Sequence, residues 1–132
     1  MRRIGLVTVL VDDVDAAIAF YVDALGFALA EDIAQPDGGR WVVVRPDGDH
    51  GAGLLLARAA ADERDRVGAQ TGQRVAFFLQ TDDFAGDHER MTAAGVTFLE
   101  EPRHEPYGTV AVFEDLCGNR FDLIQPSGPP LG

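Results

Sequence analysis

The apolar positions of this chain fall into one pattern that occurs twice. Ile4 to Val11 is a short, β-branched run bounded by charges, and it leads into DDVDAAIAFYVDALGF, Asp12 to Phe27. There Val14, Ala17, Ile18, Tyr21 and Leu25 recur at helical spacing, with Phe20 widening the same face. About seventy positions later the pattern returns: Val75 to Gln80 is apolar, and TDDFAGDHERMTAAGVTF follows from Thr81 to Phe98, with Phe84 and Met91 on its helical face. In both copies an Asp-Asp pair opens the helical segment, where a carboxylate can cap the free N–H groups. Gly26 and Gly95 lead out into the next apolar run, as glycine does at many helix ends. Two copies of one supersecondary unit follow from this repeat.

The remaining elements fill in around it. After the first helix come a strand at Phe27 to Ile33, a turn at Gln35 to Gly39, a strand at Arg40 to Arg45, a loop at Pro46 to Gly53 and a strand at Leu54 to Ala57. Arg58 to Gly72 is charged, rich in small residues and without apolar period, which predicts a surface linker with a short helix at Ala59 to Val67. In the second copy, strands are expected at Val75 to Gln80, Val96 to Leu99, Thr109 to Glu114 and Arg120 to Gln125. The helix is Asp83 to Ala94, Pro102 to Tyr107 is a loop and Leu116 to Asn119 is a turn. The expectation is a single α+β domain of eight strands and two helices: module one at about 4–57, linker 58–72, module two 73–126, and a Pro-rich tail 127–132. Each half alone would bury too little surface to be stable, so one shared core is expected.

Composition narrows the function without naming it. The 132 residues carry 22 acidic and 11 basic side chains, a formal charge of −11. That disfavours a phosphate-backbone partner, which needs a basic footprint, so no nucleic acid is expected. The one cysteine, Cys117, has no internal partner, and a reducing cytoplasm is the expected compartment. No apolar stretch approaches the length of a membrane helix, so no membrane is expected either.

Three stretches carry a family resemblance. VDDVDAAIAFYVDALGF, TDDFAGDHERMTAAGVTFLEEP and EDLCGNRFDLIQP, in this order, resemble the two strand-to-helix junctions and the terminal D-x-x-G-N-x-[apolar]-[acid]-L strand of the vicinal oxygen chelate superfamily. That superfamily includes glyoxalase I, extradiol dioxygenases and bleomycin-resistance proteins. The resemblance implies two tandem βαβββ modules forming a curved mixed sheet around a concave cavity, a small organic molecule as ligand, and a homodimer.

It also implies where a divalent metal would sit: four ligands from the first and last strands of each module, with open positions for two substrate oxygens. The first falls near Leu6, which is apolar. The second falls within Gly53 to Leu55, which offers no carboxylate. The third falls within Gln73 to Ala76, with Gln73 as candidate, and the fourth matches Asp122. His50 in a turn, His88 in a helix and His104 in a loop are not on matching strands. No cofactor is therefore expected at the usual site; the alternative is a Mn, Fe, Ni or Zn ion held by Asp122 and Gln73.

Other candidates follow from strand alternation. Arg120 and Asp122 share a face and are read either as a catalytic polar pair or as an ion pair at the surface. Leu6 and Thr8 line the implied cavity or fill it. Of Arg40 and Trp41 one must face inward, Trp41 as a stacking surface or as a core or dimer-interface side chain. His104 and Tyr107 stand before a strand at the lip, His104 as a titrating group or as a solvent-exposed one. His88 is read as structural and Cys117 as a passive turn residue.

The function expected is binding or transformation of a small organic molecule in the cavity, without the four-ligand metal site. Three readings stay open beside it: a metal-dependent lyase, isomerase or dioxygenase of the same superfamily; a metal-free drug-sequestering resistance protein; and a scaffold whose cavity is filled.

Overall fold

The computed structural model describes residues 1–47 and 51–132. Gly48 to His50, in the middle of the expected 46–53 loop, lie outside the described residues. The chain forms a mixed α+β fold with two sheets, each built in the same order. In module one, β1 (Leu6–Val11) pairs parallel with β4 (Gly53–Arg58), which pairs antiparallel with β3 (Arg40–Arg45), and β3 with β2 (Ala28–Ala34). Module two begins with β6 (Val75–Gln80), parallel to β10 (Arg120–Pro126). Beyond β10 comes β9 (Gly108–Glu114), flanked by β7 (Thr97–Phe98) and β8 (Arg103–Glu105).

The repeat seen in the hydrophobic pattern is thus a repeat of topology: first and last strands of each unit meet in parallel, across a helix. In the first unit α1 (Val14–Ile18) is capped by Asp13, whose carboxylate accepts the Ala16 N–H at 3.0 Å. It continues at Ala19–Ala24 as a wider, π-type segment in which the Leu25 N–H donates to Phe20 O, five residues back. In the second unit α2 (Phe84–Ala93) is capped in the same way by Asp83.

Alternation along the strands sends one set of side chains to a common core. Val9, Val11, Val42, Val44, Leu54 and Leu56 of module one join Ala111, Phe113, Phe121 and Leu123 of module two in one buried cluster. Tyr21 of the first helix is fully buried there, 6.2 Å from the Phe121 ring, and its hydroxyl donates to Asp115 Oδ2 at 2.7 Å. The helix-side faces of the two sheets therefore share the core, and the opposite faces are open at their rims, with Ile33, Trp41 and Phe78 exposed and Val43, Val110 and Ile124 buried.

Two polar segments form strands the apolar pattern did not predict. Arg103–Glu105, expected as part of a loop, is β8, zipped antiparallel to β9 through the Pro106-Tyr107 turn. Its sequence is polar throughout, as suits an edge strand, and so shows no alternation to read. In the linker, the expected helix is a 3₁₀ turn at Ala61–Arg66, followed by β5 (Gln70–Gln73). There Gln70 closes the free edge of β1: its amide donates to Thr8 O at 3.0 Å and accepts from the Leu10 N–H. Among the described residues ten strands form rather than eight, and no helix is long and apolar enough to cross a membrane.

Candidate functional site: the open faces of the two sheets

On module one the open face is a grid fixed by strand register. Leu6 lies beside Gly53, Thr8 beside Leu55 and Leu10 beside Ala57. Val43 continues the Thr8–Leu55 row, with Glu31 beyond it, and Ile33 lies beside Trp41. Val43 at the centre is 2% exposed, whereas Trp41 and Ile33 at the rim are 36% and 52% exposed. The Trp41 indole N–H is held by Glu31 Oε2 at 2.6 Å, which fixes the ring on this face.

Gly53 shapes one end of the grid. A Cβ at this position would lie 3.1 Å from Leu6 Cδ2 and 3.2 Å from both Cζ and Nη1 of Arg45. The Arg45 guanidinium thus lies across β4 in the space that the missing side chain leaves.

On module two the corresponding face centres on Asp122, with Phe78 on one side and Val112 on the other. The neighbouring row runs Gln80, Ile124, Val110 and Arg103. Phe78 is 59% exposed beside Asp122, whereas Val110 and Ile124 in the neighbouring row are buried. Asp122 Oδ1 is buried and has no hydrogen-bond partner among the described residues. Burial pushes the Asp122 carboxyl above its ordinary value; nearby Arg103 opposes the shift and Glu100 adds to it. Arg103 is itself bound to Glu100 Oε1 at 2.8 Å and to Glu105 Oε1 at 3.2 Å, and Glu100 foremost, with the Tyr107 side chain adding to it, keeps its guanidinium charged. The second oxygen of Glu100 accepts the Val112 N–H at 2.9 Å. The site is a desolvated acid beside a guanidinium that is already committed to other carboxylates.

The candidate residues read from sequence are sorted by this geometry. Asp122 and Tyr107 belong to the cluster on module two, while Leu6, Thr8 and Trp41 lie on the sheet of module one. Arg40 points to the helix side, opposite Trp41: its guanidinium bonds Asp32 Oδ2 and Asp15 Oδ1, each at 2.8 Å. Arg120 shares the Asp122 face but does not pair with it, because its guanidinium donates to Gln73 O at 2.9 Å. His104 sits on the opposite face of β8 from Arg103, with Nδ1 at 3.3 Å from Thr109 Oγ1. His88 is packed between the rings of Phe84 and Phe98, and His50 lies outside the described residues. Glu100, Arg103 and Arg45 were not singled out from sequence. The i, i+3 spacing of Glu100 and Arg103 in LEEPRHE was the one visible signal for two of them.

At the four positions where the resemblance implies metal ligands, the residues do not fit a divalent ion. Leu6 is apolar, Gly53 has no side chain and is overlaid by a cation, and Gln73 offers one exposed neutral amide, leaving Asp122 as the one carboxylate of the four. Among the described residues no group of three or more His, Cys, Asp or Glu side chains could hold a metal. Concave space also lies off these faces: an open cleft of about 560 Å³ borders Asp12, Asp13, Asp15 and Arg40 on the helix side.

Residues 3–123 match the family model described as the Glyoxalase/Bleomycin resistance protein/Dioxygenase superfamily. An uncharacterized protein of Shewanella frigidimarina is 51% identical over 90% of each chain. The crystal structure of UcmS2 is 35% identical, with a TM-score of 0.81 over 94% of this chain and 98% of that one. TnmS3, described as an antibiotic binding protein from a Streptomyces species, is 31% identical, with a TM-score of 0.78 over 96% and 98% of the two chains. The chain belongs to the glyoxalase/bleomycin resistance protein/dioxygenase superfamily.

Proposed function

We propose that this protein is a metal-free binding protein for a small, largely apolar organic molecule, which it holds on the open sheet faces. The observation that carries the reading is the Arg45 guanidinium over Gly53, where a metal-dependent relative would place a ligand. A fixed cation there repels a divalent ion, and Leu6 beside it offers no donor atom. The faces have the composition of a small-molecule site: apolar side chains such as Val43, Leu55, Phe78 and Val112, with a few polar groups set among them. The description of TnmS3 as antibiotic-binding supports a ligand of drug size.

A second copy of the chain is the partner this reading takes. Ile33, Trp41, Phe78 and Leu99 are 36–59% exposed, more uncovered large apolar surface than a site in one chain would close over.

The test has two readouts on protein purified without tag or chelator. Mass spectrometry should find no stoichiometric Mn, Fe, Ni or Zn, and added metal should leave the melting temperature unchanged. The neutral aromatic probe N-phenylnaphthylamine should bind with energy transfer from Trp41, the one tryptophan of the chain. Stoichiometric metal that is lost in Asp122→Ala would overturn the reading and restore chelate chemistry.

A further inference from the structure

We infer that Arg45 is a specificity-determining contact of the module-one face, and that it selects ligands carrying an anionic oxygen at one end of a flat apolar body. The inference rests on the binding function proposed above. Three features support it. First, β3 presents Trp41, Val43 and Arg45 in succession on the open face: an exposed ring held by Glu31, a buried aliphatic centre, and a cation. The two ends are about 13 Å apart along the strand, the span of a molecule of a few fused rings.

Second, the guanidinium is placed rather than free. It lies in the gap over Gly53, against Leu6, so its reach is set by the sheet below it. A planar group lying on apolar surface keeps its N–H donors directed along its own plane, where a carboxylate, sulfonate or phenolate oxygen can meet them. Third, it is uncommitted. Of the three half-buried arginines, Arg103 bonds carboxylates and Arg120 a backbone carbonyl, whereas Arg45 has no hydrogen bond or ion pair among the described residues. In a protein with a formal charge of −11, a half-buried guanidinium with no acid bound to it among the described residues is a docking site for an external anion.

The experiment compares two probes that share an aromatic body. Anilinonaphthalene sulfonate carries an anionic group; N-phenylnaphthylamine lacks it. Binding is read by energy transfer from Trp41 in wild type, Arg45→Met and Gly53→Ala. Wild type should hold the sulfonate about tenfold tighter than the neutral probe, the factor expected of one charge-assisted bond. Arg45→Met should bring the two within about twofold, the sulfonate losing several times more affinity than the neutral probe. Gly53→Ala should weaken the sulfonate selectively, because its Cβ displaces the guanidinium.

A sulfonate preference that survives in Arg45→Met would overturn the role of Arg45 and leave the binding function standing. Equal loss of both probes in that variant would overturn it too, in favour of a packing role. No energy transfer to either probe in wild type would overturn the binding function, and this inference with it.

Discussion

Replacing Asp122 by leucine should stabilise the protein at neutral pH. The carboxylate sits between Phe78 and Val112 with Oδ1 buried and unbonded, and the nearest cation, Arg103, is spent on Glu100 and Glu105. A buried polar atom without a partner costs about 1–3 kcal/mol. The side chain is only half-buried, so the lower end applies, about 1 kcal/mol, with a little more from the apolar contact leucine adds. For a chain of this size that is about 3–5 °C in melting temperature.

The sign with pH follows from the shift. The folded-state value of Asp122 is raised by burial, so the folded form holds its proton more tightly than the unfolded one. Wild type therefore loses stability as pH rises through the folded-state value, and the leucine variant does not. The gain should be full at neutral pH and should shrink towards about pH 3, where the carboxyl is protonated in both states. Calorimetry of the two proteins across that range measures it. A leucine variant less stable than wild type at pH 7, or a gain that does not change with pH, would refute the reasoning. Binding of ligands that use the acid should be lost in the same variant, since an acid kept at a stability cost is what a functional site retains.

Two further outcomes test the scaffold. Tyr21→Phe removes a donor from the buried Asp115 carboxylate and should lower stability by about 1.5–3 kcal/mol, measured by urea unfolding; a loss under about 0.5 kcal/mol would show that Asp115 is satisfied by its turn alone. Cys117 should alkylate with iodoacetamide more slowly at pH 8 than a free cysteine peptide, because burial, and then the Asp115 charge, raise its thiol above the ordinary range; an equal or faster rate would contradict that environment.

The fold was legible because its signals are periodic. Alternation in RWVVVR and the 3.6-residue spacing of Val14, Ala17, Ile18 and Tyr21 report which side chains meet the core, and the core is where the apolar effect acts. Edge strand β8 was not legible, because Arg103, His104 and Glu105 are set by pairing with β9 rather than by burial. The site was legible at Asp122, which lies in a motif. It was not legible at Arg45, whose position depends on an absent Cβ eight residues on, at Gly53 of the neighbouring strand. Nor could the sequence show that Arg40 would be drawn to Asp15 and Asp32: strand alternation says that Arg40 and Trp41 face opposite ways, but not which of them faces the helix.

The terminal motif EDLCGNRFDLIQP carries two aspartates, and their surroundings assign them opposite tasks. Asp115 accepts four hydrogen bonds: from the Tyr21 hydroxyl, the Cys117 and Asn119 backbone N–H groups, and the Asn119 side-chain amide. Every bond holds a piece of fold, tying the first helix to the last turn of the second module. Burial and the Asp115 carboxylate in turn keep the Tyr21 phenol protonated far above its ordinary range. A group so saturated has no capacity left for a ligand. Asp122, seven residues on, has the same carboxylate on an apolar face, one oxygen unbonded, and an elevated proton affinity. What it lacks from the protein is a hydrogen-bond donor, and a ligand whose hydroxyl, amine or amide reached Oδ1 by opening this face would offset the cost of leaving it unpaired. The unspent hydrogen-bonding capacity of Asp122, and of Arg45 on the other sheet, is therefore the part of the structure that points to function.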